Sequence, residues 1–572
     1  MISGRPLSAN RRWLILILIL IPVFIGALDL TIVSAILPEV MTRLNIPLDT
    51  HSGTATWAIT GYLLAYTLSM TLTGRISDLF GRRVVYFVCL GIFIFGSWWV
   101  ATAHELPTTL LNILAREVFH DRPDSNLLIL DAVIIGRVIQ ALGAGAMVPV
   151  SMALVGDLFP PERRAQPIGL IGAVDTVGWV LGHLYGGLMV NFFNHNGEAI
   201  QQLLQQIGLN WPAPDWHTLF YINVPIGIAA LILTWWVLRG VKHPAGEGRF
   251  DFVGAVLASL ALIGLNVSVG GNADAALSTS RAAMESGSAS PFNIPLLIVA
   301  IVGFLAFLAW EWRQEHPLIE LHLFRKRNVW AASTTNVFIG FCLMLALVSV
   351  SLLINLRSKD ATAESIATAA EQTGILLSGL TIPMALVAIP GGWLANRVGY
   401  RTTTTVGLAL GAIGFAVAGL IWSDQTPDIL IAANMAIVGV GLGLTISPIG
   451  TAVINEADES QHGVASALVI ILRLIGMTLA VSSLTAYAFT RITYLIGIAS
   501  AKFPTSLTGQ DLERASLHAY FLSGVHVIGE MLLIGAVVCF VAILPALFLR
   551  GKGESAETQT ENRVFEQRTQ SG

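Results

Sequence analysis

The sequence predicts an all-α membrane protein that crosses the bilayer fourteen times. Two observations carry that expectation. Of 572 residues, 54% are hydrophobic and only 12% are charged, whereas soluble proteins carry about 25% charge. Such a chain has too little polar surface to face water on all sides. Its apolar residues also fall in long runs, with mean hydropathy +0.71, and about 20 apolar residues make one helical crossing. Backbone groups find no water inside a bilayer, so each run reads as a helix that satisfies them internally.

The first run, 13–37, follows Arg5, Arg11 and Arg12. It is too long for a signal core and no small-residue cleavage site follows, so it reads as a retained first span. Spans two and three, 56–73 and 84–103, flank a short basic turn. Spans four and five, 127–154 and 167–190, each carry charges. Span six is 219–238, and spans seven and eight are 252–270 and 294–312. Spans nine to fourteen follow at 329–353, 373–394, 403–422, 429–453, 464–490 and 520–549. The larger exposed segments are 104–126, 191–218, 271–293 and 355–372, and 191–218 has room for a short amphipathic helix. Span thirteen reads on through RITYLIGIAS to Ser500 and would project beyond the bilayer. The polar tail after Arg550 reads as disordered.

The basic residues orient these spans. Of 32 Lys and Arg, Arg137 and Arg473 fall inside spans. The remainder divide 21 on the side of the termini against 9 on the other. Positive charge marks the cytoplasmic side, so both termini are expected in the cytoplasm of a cell (inner or plasma) membrane. A thirteen-span reading would scramble this partition. The halves echo each other: GRISDLFGRR (74–83) follows span two and GGWLANRVGYR (391–401) follows span ten. A matched turn eight spans apart implies duplication. The expected organisation is an N-terminal six-helix bundle (1–240), two inserted helices (241–328), a C-terminal six-helix bundle (329–550) and a tail (551–572).

Several functions are disfavoured. The net charge is −4, and no basic cluster suggests nucleic acid. Cys89, Cys342 and Cys539 lie in apolar runs, with no metal or disulfide spacing. No P-loop, HExxH or GxSxG pattern occurs. An enzyme is therefore not expected, and neither is a cofactor or a metal.

The turn at 74–83 has a physical logic. Gly74 and Gly81 let helix ends approach closely. Asp78 suits a neighbouring helix N-terminus, while Arg75, Arg82 and Arg83 anchor the face. It reads as a conformational latch, or more plainly as a positively charged turn. GRISDLFGRR resembles the signature loop of the major facilitator superfamily. GALDLTIVSAILPEV (26–40), RVIQALGAGAMVPVS (137–151), FYINVPIGI (220–228), FDFVGAVLASL (250–260) and LFRKRN (323–328) are similar to markers of its fourteen-span drug–proton antiporter branch. The resemblance covers nearly the whole chain and implies two six-helix bundles with two inserted helices. GWVLGHLYGG (178–187) departs from the antiporter pattern, with His183 where proline is usual. The second-half loop of Gly392, Asn396, Arg397 and Gly399 has Asn396 where the first half has Asp78.

Ionisable groups inside spans cost at least about 2.5 kcal/mol and mark function. The resemblance places the span-one acid, Asp29, and the span-four arginine, Arg137, in a central cavity. Asp29 is the candidate proton-responsive acid and Arg137 its partner, with a static buried ion pair as the alternative. Asp175 is a candidate second proton carrier or cation contact, with a helix–helix hydrogen bond as the plainer reading. His183 titrates near neutrality or is a buried neutral histidine. Gly178, Gly182, Gly186 and Gly187 read as a close helix-packing seam. Arg473 and Glu530 are further intramembrane candidates.

The expected function is proton-driven export of a lipophilic or cationic small molecule by alternating access. The alternative is export of a triacylglycerol-like lipid, because LNIPLDTHSGTATWAITGYLLAY (44–66) and the long span thirteen look like the mycobacterial lipid-exporting branch of the superfamily. Its partners would be the bilayer, the substrate, protons and a periplasmic acceptor. A non-transporting sensor is the third reading.

Overall fold

The computed structural model describes residues 8–46, 48–117, 124–206, 208, 212–239, 250–270, 294–314, 317–319, 321–357, 363–504 and 510–550. Among them there is no strand, and helices account for nearly every segment. The N-terminal set is α1 (Ala9–Arg43), α2 (Leu48–Phe80), α3 (Arg82–Ala101), α4 (Leu106–Glu117), α5 (Ser125–Leu158), α6 (Ala165–Gln206) and α7 (Trp216–Val237). A pair follows, α8 (Phe252–Gly270) and α9 (Ile294–Glu311). The C-terminal set is α10 (Arg327–Arg357), α11 (Ala363–Val398), α12 (Tyr400–Ile421), α13 (Asp428–Ile454), α14 (His462–Ser500) and α15 (Gln510–Ala546).

Eleven of these helices are long and apolar enough to cross a membrane. The chain is therefore a multi-pass membrane protein. A count of fourteen also needs α2, α8 and α6, the last bent by 42° between Trp179 and Leu184. The bend has a local cause. Thr31 Oγ1 of α1 donates to the Trp179 carbonyl at 2.5 Å, and capture of a ladder carbonyl from outside lets a helix bend.

Several segments differ from expectation. The segment 104–126 contains α4, whose 12 residues are too few to form a span. The short helix expected in 191–218 is the continuation of α6, whose 42 residues run to Gln206. Helix α15 begins at Gln510, ten residues before the expected start at 520. Helix α14 does reach Ser500, and its 39 residues span about 58 Å at 1.5 Å per residue, well beyond a hydrocarbon core of about 30 Å. The expected segment 271–293 and the tail 551–572 lie outside the described residues.

Packing follows the duplicated plan. In the first half α1 lies on α6, α2 on α5, and α3 on α5 and α7. In the second, α10 lies on α14, α11 on α13, and α12 on α13 and α15. Helices α8 and α9 pair with each other, and α8 also touches α2 and α14. The halves meet where α6 packs on α11 and α13, and where α14 packs on α2 and α5. Gly81 and Gly399, the turn glycines of the two halves, have φ of 90° and 89°, a region that L side chains rarely enter. Pro149 of α5 and Pro448 of α13 recur at matching places.

The glycine seam of α6 faces α1. A Cβ at Gly178 would lie 2.6 Å from Ala27 Cβ, and one at Gly182 would strike the Leu28 carbonyl and Thr31 Oγ1. Gly186 is buried. Gly187 is not part of the seam: a Cβ there meets nothing within 4 Å, because one residue along a helix turns the side chain about 100° away.

Candidate functional site

The latch turn joins the two halves. A Cβ at Gly74 would lie 2.7 Å from Ala467 Cβ and 2.8 Å from the Gly463 carbonyl oxygen, so α2 and α14 touch there. The two oxygens of Asp78 accept from the Gly463 and Val464 amides, each at 3.0 Å. These are first-turn N–H groups of α14, which have no partner within their own helix, and a carboxylate is favoured at that end. Arg82 donates to Asp78 Oδ1 at 2.9 Å, to the Glu459 carbonyl at 2.6 Å and to Asp157 at the end of α5. His462 Nδ1 lies 3.3 Å from the same Asp157 carboxylate. Arg83 lies over the Phe87 ring at 5.7 Å. Arg75 is buried, close enough to Glu311 of α9 to act on its charge.

The second-half loop makes its own junction by other means. A Cβ at Gly392 would sit 2.8 Å from the Ala165 carbonyl group at the start of α6. Asn396, the counterpart of Asp78, is exposed, and Arg397 lies over the Trp393 ring at 4.1 Å. The tie across the halves is made instead by Arg164, which donates to Asn455 Oδ1 at 3.1 Å, and by Ser447, which donates to the Ala165 carbonyl. The end of the molecule that carries both turns is thus closed.

Asp29 and Arg137 are fully buried and meet inside the first half. Arg137 donates to the Asp29 carboxylate, to the Asp29 carbonyl at 2.9 Å and to Gln140 Oε1 at 2.7 Å. Asn223 Nδ2 of α7 donates to the other carboxylate oxygen at 3.0 Å, and Gln140 Nε2 donates to Ser97 Oγ at 2.7 Å. The guanidinium lies 3.8 Å over the Tyr62 ring. This arrangement joins α1, α3, α5 and α7. Arg137 Nε is left without a partner, and the other hydrogen bonds offset the desolvation of two charges, which suits the static-pair alternative for Asp29.

The other buried charges differ. Asp175 of α6 and Arg473 of α14 come from opposite halves and act on each other electrostatically. Asp175 Oδ1, Arg473 Nε and Tyr66 Oη complete no hydrogen bond, and Trp179 Nε1 approaches both Asp175 and Tyr66 without completing one. Tyr66 of α2 lies within electrostatic reach of Asp175. Each orphaned buried group costs about 1–3 kcal/mol, so this seam carries unspent interaction potential. His183 lies two turns beyond Asp175, and its side chain is outside the described residues. Glu530, midway along α15, is held by Arg491 Nη2 at 2.8 Å and by Tyr487 at 2.7 Å from the later part of α14.

Sequence reasoning overlooked Asp157, Gln140, Asn223, Tyr66 and Trp179. Gln140 and Asn223 carry a readable signal, since a polar amide in an apolar span needs a buried partner. Tyr66 and Trp179 carry none, because aromatic residues are ordinary packing material.

The comparisons with known proteins agree with this architecture. A family model described as Major Facilitator Superfamily matches residues 19–481. A triacylglyceride transporter of Mycolicibacterium smegmatis is 31% identical over 554 residues, covering 94% of this chain and 87% of its own. A triacylglyceride transporter of Mycobacterium tuberculosis is 30% identical over 559 residues, covering 96% of each chain. Among solved structures, the human organic anion transporter MFSD10 aligns with a TM-score of 0.54 at 13% identity, covering 94% of this chain and 100% of its own. The proton:xylose symporter XylE aligns with a TM-score of 0.51 at 14% identity, covering 94% and 96%. On the family match and on the near full-length similarity to these relatives, the chain belongs to the major facilitator superfamily and is a membrane transporter.

Proposed function

We propose that this protein exports a triacylglycerol-like lipid by alternating access, with protons as the driving ion. The buried, incompletely bonded Asp175 facing Arg473 across the two halves carries this reading. A charge couple at a moving seam has different surroundings in each state, which is what coupling requires. The curated relatives are named for triacylglyceride transport, which favours the lipid over the small-molecule drug expected first. In this reading the turn-bearing end faces the cytoplasm, the membrane is the inner or plasma membrane, and the chain spans it fourteen times as 6 + 2 + 6. Asp29 and Arg137 then serve as the rigid pivot of the first half, and Asp175 as the proton-carrying acid.

The test uses proteoliposomes with an imposed pH gradient, following a fluorescent triacylglycerol and ethidium in parallel. Gradient-driven movement of the lipid, lost in Asp175→Asn while passive lipid exchange persists, supports the reading. Movement of ethidium alone returns the assignment to drug efflux. Wild-type transport in Asp175→Asn removes that acid from the coupling.

A further inference from the structure

The seam between the halves has a specific chemical character. Its orphaned atoms are Tyr66 Oη on α2, Asp175 Oδ1 and Trp179 Nε1 on α6, and Arg473 Nε on α14. Three of the side chains are withdrawn from solvent, Tyr66 at 1% exposed, Asp175 at 8% and Arg473 at 9%, and Trp179 is half-buried. Three of the four atoms are hydrogen-bond donors, and indole and guanidinium N–H groups only donate. They sit on helices from both halves, so a rocking motion that parts α14 from α2 and α6 uncovers them together. Apolar packing surrounds them, since Tyr66, Val174, Trp179 and Leu474 all belong to or pack on the main hydrophobic cluster.

Asp175 faces Arg473 electrostatically, so a ligand that fits the three donors accepts hydrogen bonds and carries apolar bulk. A carboxylic ester with long acyl chains meets both conditions. A cationic drug brings donors where the seam already has them, and the opposite charges of Asp175 and Arg473 leave no net charge there to attract it.

We infer that Tyr66, Trp179 and Arg473 form a subsite for the ester carbonyls of a glycerolipid, and so select esters over ethers of the same shape. Asp175 is a positioning residue, holding the Arg473 guanidinium on the seam. The inference rests on the lipid-export reading above and deepens it.

The experiment compares two probes in proteoliposomes of phosphatidylethanolamine and phosphatidylglycerol containing the full chain. One is a pyrene-labelled triacylglycerol, and the other is its trialkyl glycerol ether, which keeps the shape and lacks every carbonyl. The wild type is expected to move the triester at least about fivefold faster, the ratio that one hydrogen bond supports. Tyr66→Phe and, independently, Trp179→Phe are expected to pull that ratio toward one. Thermal melting of each variant establishes that it is folded. If the wild type moves both probes at one rate, or if both folded variants keep the preference, the subsite is overturned while lipid export stands. If neither probe moves, the lipid reading falls and takes the subsite with it.

Discussion

At the scale of residues, two pairs of buried charges with the same composition are held to different degrees. Arg137 has partners for both terminal nitrogens and lies on an aromatic face. Arg473 has Asp175 as an electrostatic partner, and the Nε of each arginine is without a partner. The first is expected to act on stability and the second on transport. Arg137→Ala leaves Asp29 charged in a dry interior, and breaking a buried pair costs about 3–5 kcal/mol. Thermal melting in detergent should show a large drop for Arg137→Ala, and a variant as stable as the wild type would remove the pair from the scaffold. Both arginines were evident in the sequence as charges inside apolar runs. Which of them sits in the fuller hydrogen-bond network was not, because that depends on Asn223, Gln140 and Ser97, contributed by three helices.

At the scale of elements, α4 shows what periodicity reveals once its boundaries are known. Leu106, Leu110, Ile113 and Leu114 recur at the i, i+4, i+7, i+8 spacing of one helical stripe, and they are 45–55% exposed. Pro107 is buried and Leu111 packs on the outer-end cluster of the first half. Arg116 occupies a separate exposed flank. A helix with one face on protein, one apolar face bare and one polar flank belongs at the bilayer surface. A spin label at Leu110 in lipid nanodiscs should be relaxed more strongly by oxygen than by a water-soluble nickel chelate. The reverse order would place the stripe in water. Span-hunting missed α4 because its 12 residues are too few to cross hydrocarbon, and a leucine-rich loop looks much like it in composition.

At the scale of the whole molecule, two junctions close one end: Asp78 on the first turn of α14, and Arg164 with Ser447 between α6 and α13. Asp78→Asn keeps an acceptor oxygen but loses the charge that suits the α14 N-terminus and Arg82. It is expected to loosen this end. Spin labels at Phe80 and Ser460, which are both exposed, should then report a longer distance than in the wild type. An unchanged distance distribution would show that the Arg164 and Ser447 junction closes the end unaided. The inserted pair bears on the same junction, since α8 touches both α2 and α14 and Arg75 of the latch turn lies near Glu311.

The sequence by itself determined the solvent, the helical class, the duplicated turns and the long α14, because these follow from composition and from patterns within single segments. The repeat of positive φ at Gly81 and Gly399 was foreshadowed by the repeated Gly-x-x-x-(Asp/Asn)-x-x-Gly turn. The tertiary structure alone decided that Asn396 makes no junction like that of Asp78, that Gly187 lies off the α6–α1 seam, and that Tyr66, Trp179, Asp175 and Arg473 share one interface. The reason is geometric. Those facts depend on how helices from different parts of the chain rotate about their own axes, and side-chain partners between distant helices leave no period in the sequence.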